Sequence, residues 1–293
     1  MIAAVYGRTF GKDFYQSIKD FFDILLREGT DIIIYEPFKQ FLESGPDYSP
    51  RVKGLFNSFT DLPDNTDMIF SIGGDGTFLK TVSLVRDKKI PIVGINSGRL
   101  GFLATISQEK LLGSLDAILS KKFSVEERTL LKLDFPGAKK EDFNYALNEV
   151  SIEKAGSTMI TIHTYVNGEF LNSYWADGLI ISTPTGSTAY SLSVGGPIVI
   201  PGSNDIIVSP ISPHNLTVRP LVIPDEDELT LRVEGRDDKY IASVDSRSVI
   251  LSNKTEIRVK RAEFKIKIIK LEGHSYYSTL RNKLMWGVDK RNW

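Results

Sequence analysis

Ser71-Ile72-Gly73-Gly74-Asp75-Gly76-Thr77 sets three glycines around one aspartate. Without Cβ atoms, Gly73, Gly74 and Gly76 let backbone N–H groups approach phosphate oxygens, and a helix opening at Thr77 turns its positive end toward the anion. Asp75 is then the acid beside that phosphate. A plainer reading makes the segment a strand-to-helix turn with Asp75 as its N-cap. A second segment runs from Asp177-Gly178 into Thr183-Pro184-Thr185-Gly186-Ser187-Thr188-Ala189-Tyr190-Ser191 and is closed by Gly195-Gly196-Pro197. Its hydroxyls are donors and acceptors suited to a sugar and a phosphate, and Tyr190 offers a ring face. The alternative is a Ser/Thr-rich helix start followed by a turn. Asn148-Glu149 is the third candidate, an amide and a carboxylate that can grip different edges of a ligand, because neighbours on a strand face opposite ways unless it kinks, although the pair by itself reads better as an exposed strand end.

Other chemistries find little support. Gly7-Arg8-Thr9-Phe10-Gly11-Lys12-Asp13 is one residue short of a P-loop and lacks its Ser or Thr, and no Gly-x-Gly-x-x-Gly is present. His163, His214 and His274 show no metal-ligand spacing and read as structural; no metal ligands are identified. Arg258, Lys260, Arg261, Lys265, Lys267 and Lys270 alternate with apolar residues, which reads as the solvated face of a sheet. Lys plus Arg number 36 against 37 Asp plus Glu, too even a balance for a protein that coats nucleic acid. With zero cysteines, disulfides and thiolate chemistry are excluded.

These residues need elements to hold them, and 293 residues leave room for about two domains. A composition of 41% hydrophobic and 25% charged residues is that of an ordinary globular chain. Short β-branched runs at 2–6, 31–35, 68–72 and 90–95 alternate with helical patterns at 13–28 and 77–86, a βαβ rhythm that predicts a parallel sheet. Residues 44–66, with Ser44, Gly45, Pro46, Pro50 and Pro63, predict a disordered surface connection. After a helix at 108–121 the pattern turns to short strands and turns over 123–271. Asn167-Gly168 marks a hairpin between strands at 159–166 and 169–174. Later strands are expected at 228–233, 240–244, 249–251, 256–259 and 264–269. Residues 276–286 have helical spacing. The expectation is therefore an α/β N-terminal domain, doubly wound with a mostly parallel sheet (1–103), a C-terminal all-β substrate-binding domain (104–271), and a C-terminal helix (272–293) returning to the first. No apolar run approaches the ~18 residues of a membrane helix and no targeting segment is read, so a cytoplasmic protein with no membrane partner is expected.

Taken together, Gly73-Gly74-Asp75-Gly76-Thr77, Gly94-Ile95-Asn96, Gly98-Arg99-Leu100-Gly101-Phe102-Leu103, Asn148-Glu149, Asp177-Gly178 and the stretch from Thr183 to Tyr190 resemble the NAD kinase family in order and spacing. Pro213-His214, Arg219-Pro220, Asp245-Ser246 and the ending Ser275 to Gly287 resemble its later blocks. The resemblance covers roughly residues 67–287 and implies transfer of the γ-phosphoryl of ATP, with a divalent metal such as Mg2+, to the 2'-hydroxyl of the adenosine ribose of NAD, giving NADP. It implies Asp75 as general base with Gly76 beside it on the substrate. It places Asn148 and Glu149 near the adenosine and diphosphate, Asp177 on the dinucleotide, and Thr188, Ala189, Tyr190, Ser191 and Ser193 along the nucleoside. Lys80 matches a position where the family often has a basic residue, and Arg247 stands where some relatives have glutamine. NAD and ATP are the implied partners, in a cleft between the domains of a homo-oligomer, dimer or tetramer. A diacylglycerol-type lipid kinase, which shares the Gly-Gly-Asp-Gly element, and a non-catalytic dinucleotide sensor are the alternatives.

Overall fold

A computed structural model describes residues 1–98, 101–139, 142–273 and 275–286. Arg99, Leu100, His274 and Gly287 lie outside the described residues. Two compact units divide the chain: Met1–Glu126 with Ile266–Trp293, and Glu127–Lys265.

The first unit runs through β1 (Ile2–Gly7), α1 (Tyr15–Arg27), β2 (Asp31–Tyr35), α2 (Glu36–Ser44), β3 (Gly54–Phe56), β4 (Met68–Ile72), α3 (Asp75–Val85), β5 (Ile92–Ile95) and α4 (Leu111–Leu119). The strands are parallel in the order β3-β2-β1-β4-β5. Ile18, Phe21, Phe22 and Leu25 recur at helical spacing and are fully buried. They share one core with Phe38 of α2, Leu115 of α4 and the alternating strand residues Ala3, Val5, Phe70, Ile72, Val93 and Ile95. The intervening strand residues face α3: a methyl added at Gly94 would lie 3.1 Å from the Phe78 ring. Helices on both faces make the sheet doubly wound.

Residues 44–66 differ from expectation. Gly54-Leu55-Phe56 adds a parallel strand to β2, and Phe56 and Leu62 are each 1% exposed. A three-residue strand among prolines carries no periodicity, so only its pairing reveals it.

The second unit takes in β6 (Phe123–Asp134) from Glu127 onward, then β7 (Tyr145–Ala146), β8 (Glu149–Lys154), β9 (Ile160–Val166), β10 (Glu169–Ala176), β11 (Gly178–Ser182) and α5 (Tyr190–Ser193). It continues through β12 (Asp205–Ile211), β13 (Leu221–Pro224), β14 (Leu229–Glu234), β15 (Lys239–Val244), β16 (Arg247–Ser252) and β17 (Ile257–Leu271) as far as Lys265. One antiparallel sheet has the order β13-β12-β11-β8-β15-β16, and a second pairs β10, β9, β14 and the start of β17. Val150, Ile152 and Ile181 of the first sheet meet Ile162, Leu231 and Val259 of the second in one core. At the predicted hairpin, Asn167 and Gly168 both have positive φ, 50° and 85°, the backbone of a tight two-residue turn.

The two strands expected at 256–259 and 264–269 are one 15-residue strand, β17. Burial switches from odd positions (Ile257, Val259) to even ones (Ala262, Ile266, Ile268) across Lys260-Arg261, and that slip in the alternation looks like a break. The final helix, α6 (Tyr276–Leu284), belongs to the first unit and buries Leu280. Among the described residues no helix is long and apolar enough to cross a membrane.

Candidate functional site

In the first unit β1 and β4 are neighbours, with Gly7 opposite Ile72, and the helices that follow them lie on opposite faces of the sheet. Such a reversal opens a crevice at the carboxyl ends of the strands, and the turn after β4 lies there. Gly73 has a φ of 152°, and a Cβ on it would run into the Thr77 side chain. Not every expected phosphate donor is available. The N–H of Gly73 donates to the Ile95 carbonyl at 2.9 Å and that of Thr77 to the Gly74 carbonyl at 2.9 Å. Among the described residues the exposed N–H groups of Gly74 and Gly76 have no acceptor, as befits the first turn of a helix.

Asp75 is not the N-cap of α3; Gly74 is, and no side chain caps the helix. The Asp75 carboxylate instead accepts backbone N–H bonds from the loop after β5: Phe102 to Oδ2 at 2.8 Å, and Leu103 and Ala104 to Oδ1, both at 3.0 Å. A carboxylate has about four in-plane acceptor positions, so among the described residues one remains, on Oδ2. Lys80 is exposed on the same helix, but five residues turn it about 140° away from Asp75.

In the second unit the start of β8 is held from two sides. Asp245, in a left-handed turn between β15 and β16, accepts the N–H groups of Leu147 and Asn148 at 2.9 Å and of Glu149 at 3.2 Å. From β11, the Thr183 N–H donates to the Asn148 carbonyl at 2.9 Å and its hydroxyl to the Leu147 carbonyl at 2.6 Å, while that hydroxyl accepts the Gly186 N–H at 3.0 Å. A short 3-10 turn over Thr185–Thr188 then leads into α5. Several hydroxyls expected to meet a ligand therefore hold the framework. Ser187 brackets Val199 through 3.1 Å bonds to its carbonyl and N–H, and Ser191, fully buried, lies 3.3 Å from the Ser209 hydroxyl. Thr188 and Ala189 are half-buried, and Tyr190 and Ser193 are exposed.

Burial, reinforced by the Asp245 charge and opposed by the Tyr190 N–H, pushes the Glu149 carboxyl up to about 8. Its Oε2 is buried with no partner. Burial raises Asp245 too, against its backbone bonds and the Arg247 guanidinium 4.0 Å away. Three N–H donors and an arginine favour charge on Asp245, so the proton of the pair rests on Glu149. Asp177 pairs with Lys154 at 2.5 Å. Burial raises the Tyr190 phenol, helped by the charges of Glu153, Glu149 and Asp177, which places this ring among those acids. Arg247, the first residue of β16, donates to the carbonyls of Phe143 and Tyr145 and lies over the Phe143 ring.

The structure thus gathers Gly73 to Thr77 with the 101–104 loop in one unit, and Asn148, Glu149, Asp177 and Tyr190 in the other. Asp245 was visible in the sequence only as part of a family block; a hairpin-turn aspartate gives no sign that it binds a strand nearly a hundred residues earlier. Among the described residues no three His, Asp or Glu side chains are grouped to hold a metal ion.

Residues 44–123 match the ATP-NAD kinase N-terminal domain and residues 147–271 the ATP-NAD kinase C-terminal domain. NAD kinases of Cytophaga hutchinsonii and Flavobacterium psychrophilum are each 46% identical to this chain, with 100% of both partners covered. One from Bacteroides fragilis is 43% identical over 98% of this chain and 99% of its own. The solved structure of an Archaeoglobus fulgidus NAD kinase in complex with ATP superposes with a TM-score of 0.75 at 28% identity, covering 97% of this chain and 99% of that one. Yeast NADH kinase, solved with NADH, shares the fold at a TM-score of 0.84 and 23% identity, over 98% of this chain and 88% of its own.

Proposed function

This chain belongs to the ATP-NAD kinase family, and we propose that it transfers the γ-phosphoryl of ATP to the 2'-hydroxyl of the adenosine ribose of NAD, with Asp75 as general base. In that step the bond from the ribose oxygen to Pγ forms, the bond from Pγ to the ADP oxygen breaks, and ADP leaves with the electron pair. The hydroxyl proton passes to the open position on Asp75 Oδ2. A sugar hydroxyl is a weak nucleophile at neutral pH, and a placed base is worth roughly 10²- to 10⁴-fold. The rest of the barrier is met by positioning and electrostatics. Gly74 and Gly76 would supply N–H groups to phosphate oxygens at the start of α3, replacing the wider set expected from Gly73 to Thr77. Asn148, Glu149, Asp177, Thr188, Ala189, Tyr190 and Ser193 would hold the dinucleotide, with Ser191 and Arg247 supporting them from the framework and Lys80 adding positive charge on α3.

A divalent metal would neutralise charge on the donor phosphates. Among the described residues the donor set fits no metal cage of its own, since Asp75 has one acceptor position left and no three His, Asp or Glu side chains are grouped. Mg2+ readily binds through phosphates and water with few protein ligands, so it would travel on ATP. A cytoplasmic homo-oligomer completes the reading.

The observation that carries the reading is the Asp75 carboxylate at the start of α3, with three acceptor positions taken by backbone N–H groups and one left among the described residues. Family membership weighs against the lipid kinase and the sensor. The test is NADP formation from NAD across phosphoryl donors, with and without magnesium. Phosphorylated diacylglycerol, or dinucleotide binding without turnover, overturns it.

A further inference from the structure

Gly94 and Gly101 carry no chemistry, yet each is pressed against atoms that a side chain would displace. A Cβ on Gly101 would overlap the Asp75 carboxylate, reaching both oxygens. A Cβ on Gly94 would come within 2.7 Å of the Leu103 carbonyl and 2.8 Å of Ala104 Cα. The segment leading on from Ala104 is pinned to β5 and the residue after it, with the Asn96 N–H donating to the Ile106 carbonyl at 2.7 Å and the Ile106 N–H to the Gly94 carbonyl at 3.1 Å. Residues 101–104 are therefore held between β5 and Asp75 with little slack on either side. Gly94 is free of positive φ, and at Gly101 the space a Cβ would need is already taken by the Asp75 carboxylate, so a methyl at either place crowds its neighbours.

We infer that Gly101 is a positioning residue: its missing side chain lets the Phe102, Leu103 and Ala104 amides close on Asp75 and leave one Oδ2 position to accept the proton. The inference rests on Asp75 being the base. Three N–H bonds fix the plane and rotation of the carboxylate, and with them the direction of the remaining acceptor position. A methyl at residue 101 must rotate that carboxylate or lift the loop, and a base misplaced by about 1 Å loses on the order of 100-fold in rate.

The test is a double-mutant cycle. Gly101→Ala is expected to lower kcat about 100-fold with KM for NAD within about threefold. In an Asp75→Asn background the same methyl is expected to cost less than about threefold, because the group it acts through is gone. Costs that multiply in the double variant, or a loss confined to KM, overturn the inference. Near-normal turnover in Asp75→Asn alone sinks the base reading instead, whereas a fall there beside normal turnover in Gly101→Ala sinks only the positioning role. Should Gly101→Ala not fold, hydrogen exchange of wild type against Asp75→Ala decides. The amides of Phe102, Leu103 and Ala104 should exchange at least about tenfold faster in the variant while that of Ile106 is unchanged. Equal rates at those three amides overturn the inference.

Discussion

Asp245 takes the backbone N–H of Glu149 at 3.2 Å, and its charge pushes the carboxyl of that same residue upward. One residue thus orders the strand end and adds to the effect of burial, the larger cause, in raising the side chain that strand end presents. The Asp245 carboxylate is 3% exposed and bonded on both oxygens, whereas Glu149 Oε2 is buried and unpartnered. Burial and the nearby Asp245 charge therefore both favour the protonated Glu149 carboxyl.

That protonation makes stability depend on pH. Glu149 goes from 4.5 in the unfolded chain to about 8 when folded, so the native state holds a proton that the unfolded state releases between those values. Its contribution is full below pH 4.5 and is lost as pH rises through about 8. Glu149→Gln, which keeps a neutral polar group, should flatten the fall in Tm across this window; thermal melts at pH 5, 7 and 9 would show it, and parallel curves for the two proteins would contradict it.

Removing the anchor should be costly. Asp245→Ala leaves three part-buried N–H groups without their acceptor, and a fully buried group of this kind costs about 1–3 kcal/mol, reduced where water enters. A loss of about 3 kcal/mol in urea unfolding is expected. Asp245→Asn, which retains one acceptor oxygen, should lose less.

Asp75→Asn should lower kcat at least ~100-fold while NAD binding stays within about tenfold. Steady-state kinetics paired with calorimetric titration separate the two. Turnover close to wild type would remove Asp75 from the base role.

Tyr190 is 38% exposed at the start of α5. If its ring lies against the nucleoside, Tyr190→Ala forfeits about 0.5–1.5 kcal/mol of stacking plus buried area. Dinucleotide Kd should then rise about tenfold with little change in Tm, and an unchanged Kd would argue against the contact.

Much of this was legible from residue order. β2 and β4 fall where their short β-branched runs end, and the Asn167-Gly168 hairpin follows from two residues that tolerate positive φ. These are local effects, written in consecutive residues. The Gly-Gly-Asp-Gly turn was recognisable for the same reason. Which groups in it remain free was decided by tertiary contact: the Ile95 carbonyl takes the Gly73 N–H, and a loop almost thirty residues on takes three of the acceptor positions of Asp75. The hydroxyls of Thr183, Ser187 and Ser191 look from sequence like ligand contacts, yet burial forces each to find a partner inside the protein. The raised carboxyl of Glu149 likewise has no local cause, because it arises from the water it loses on folding and, secondarily, from an aspartate ninety-six residues away. Composition and spacing determined which chemistry this chain carries; close packing of distant segments determined which atoms are left to perform it.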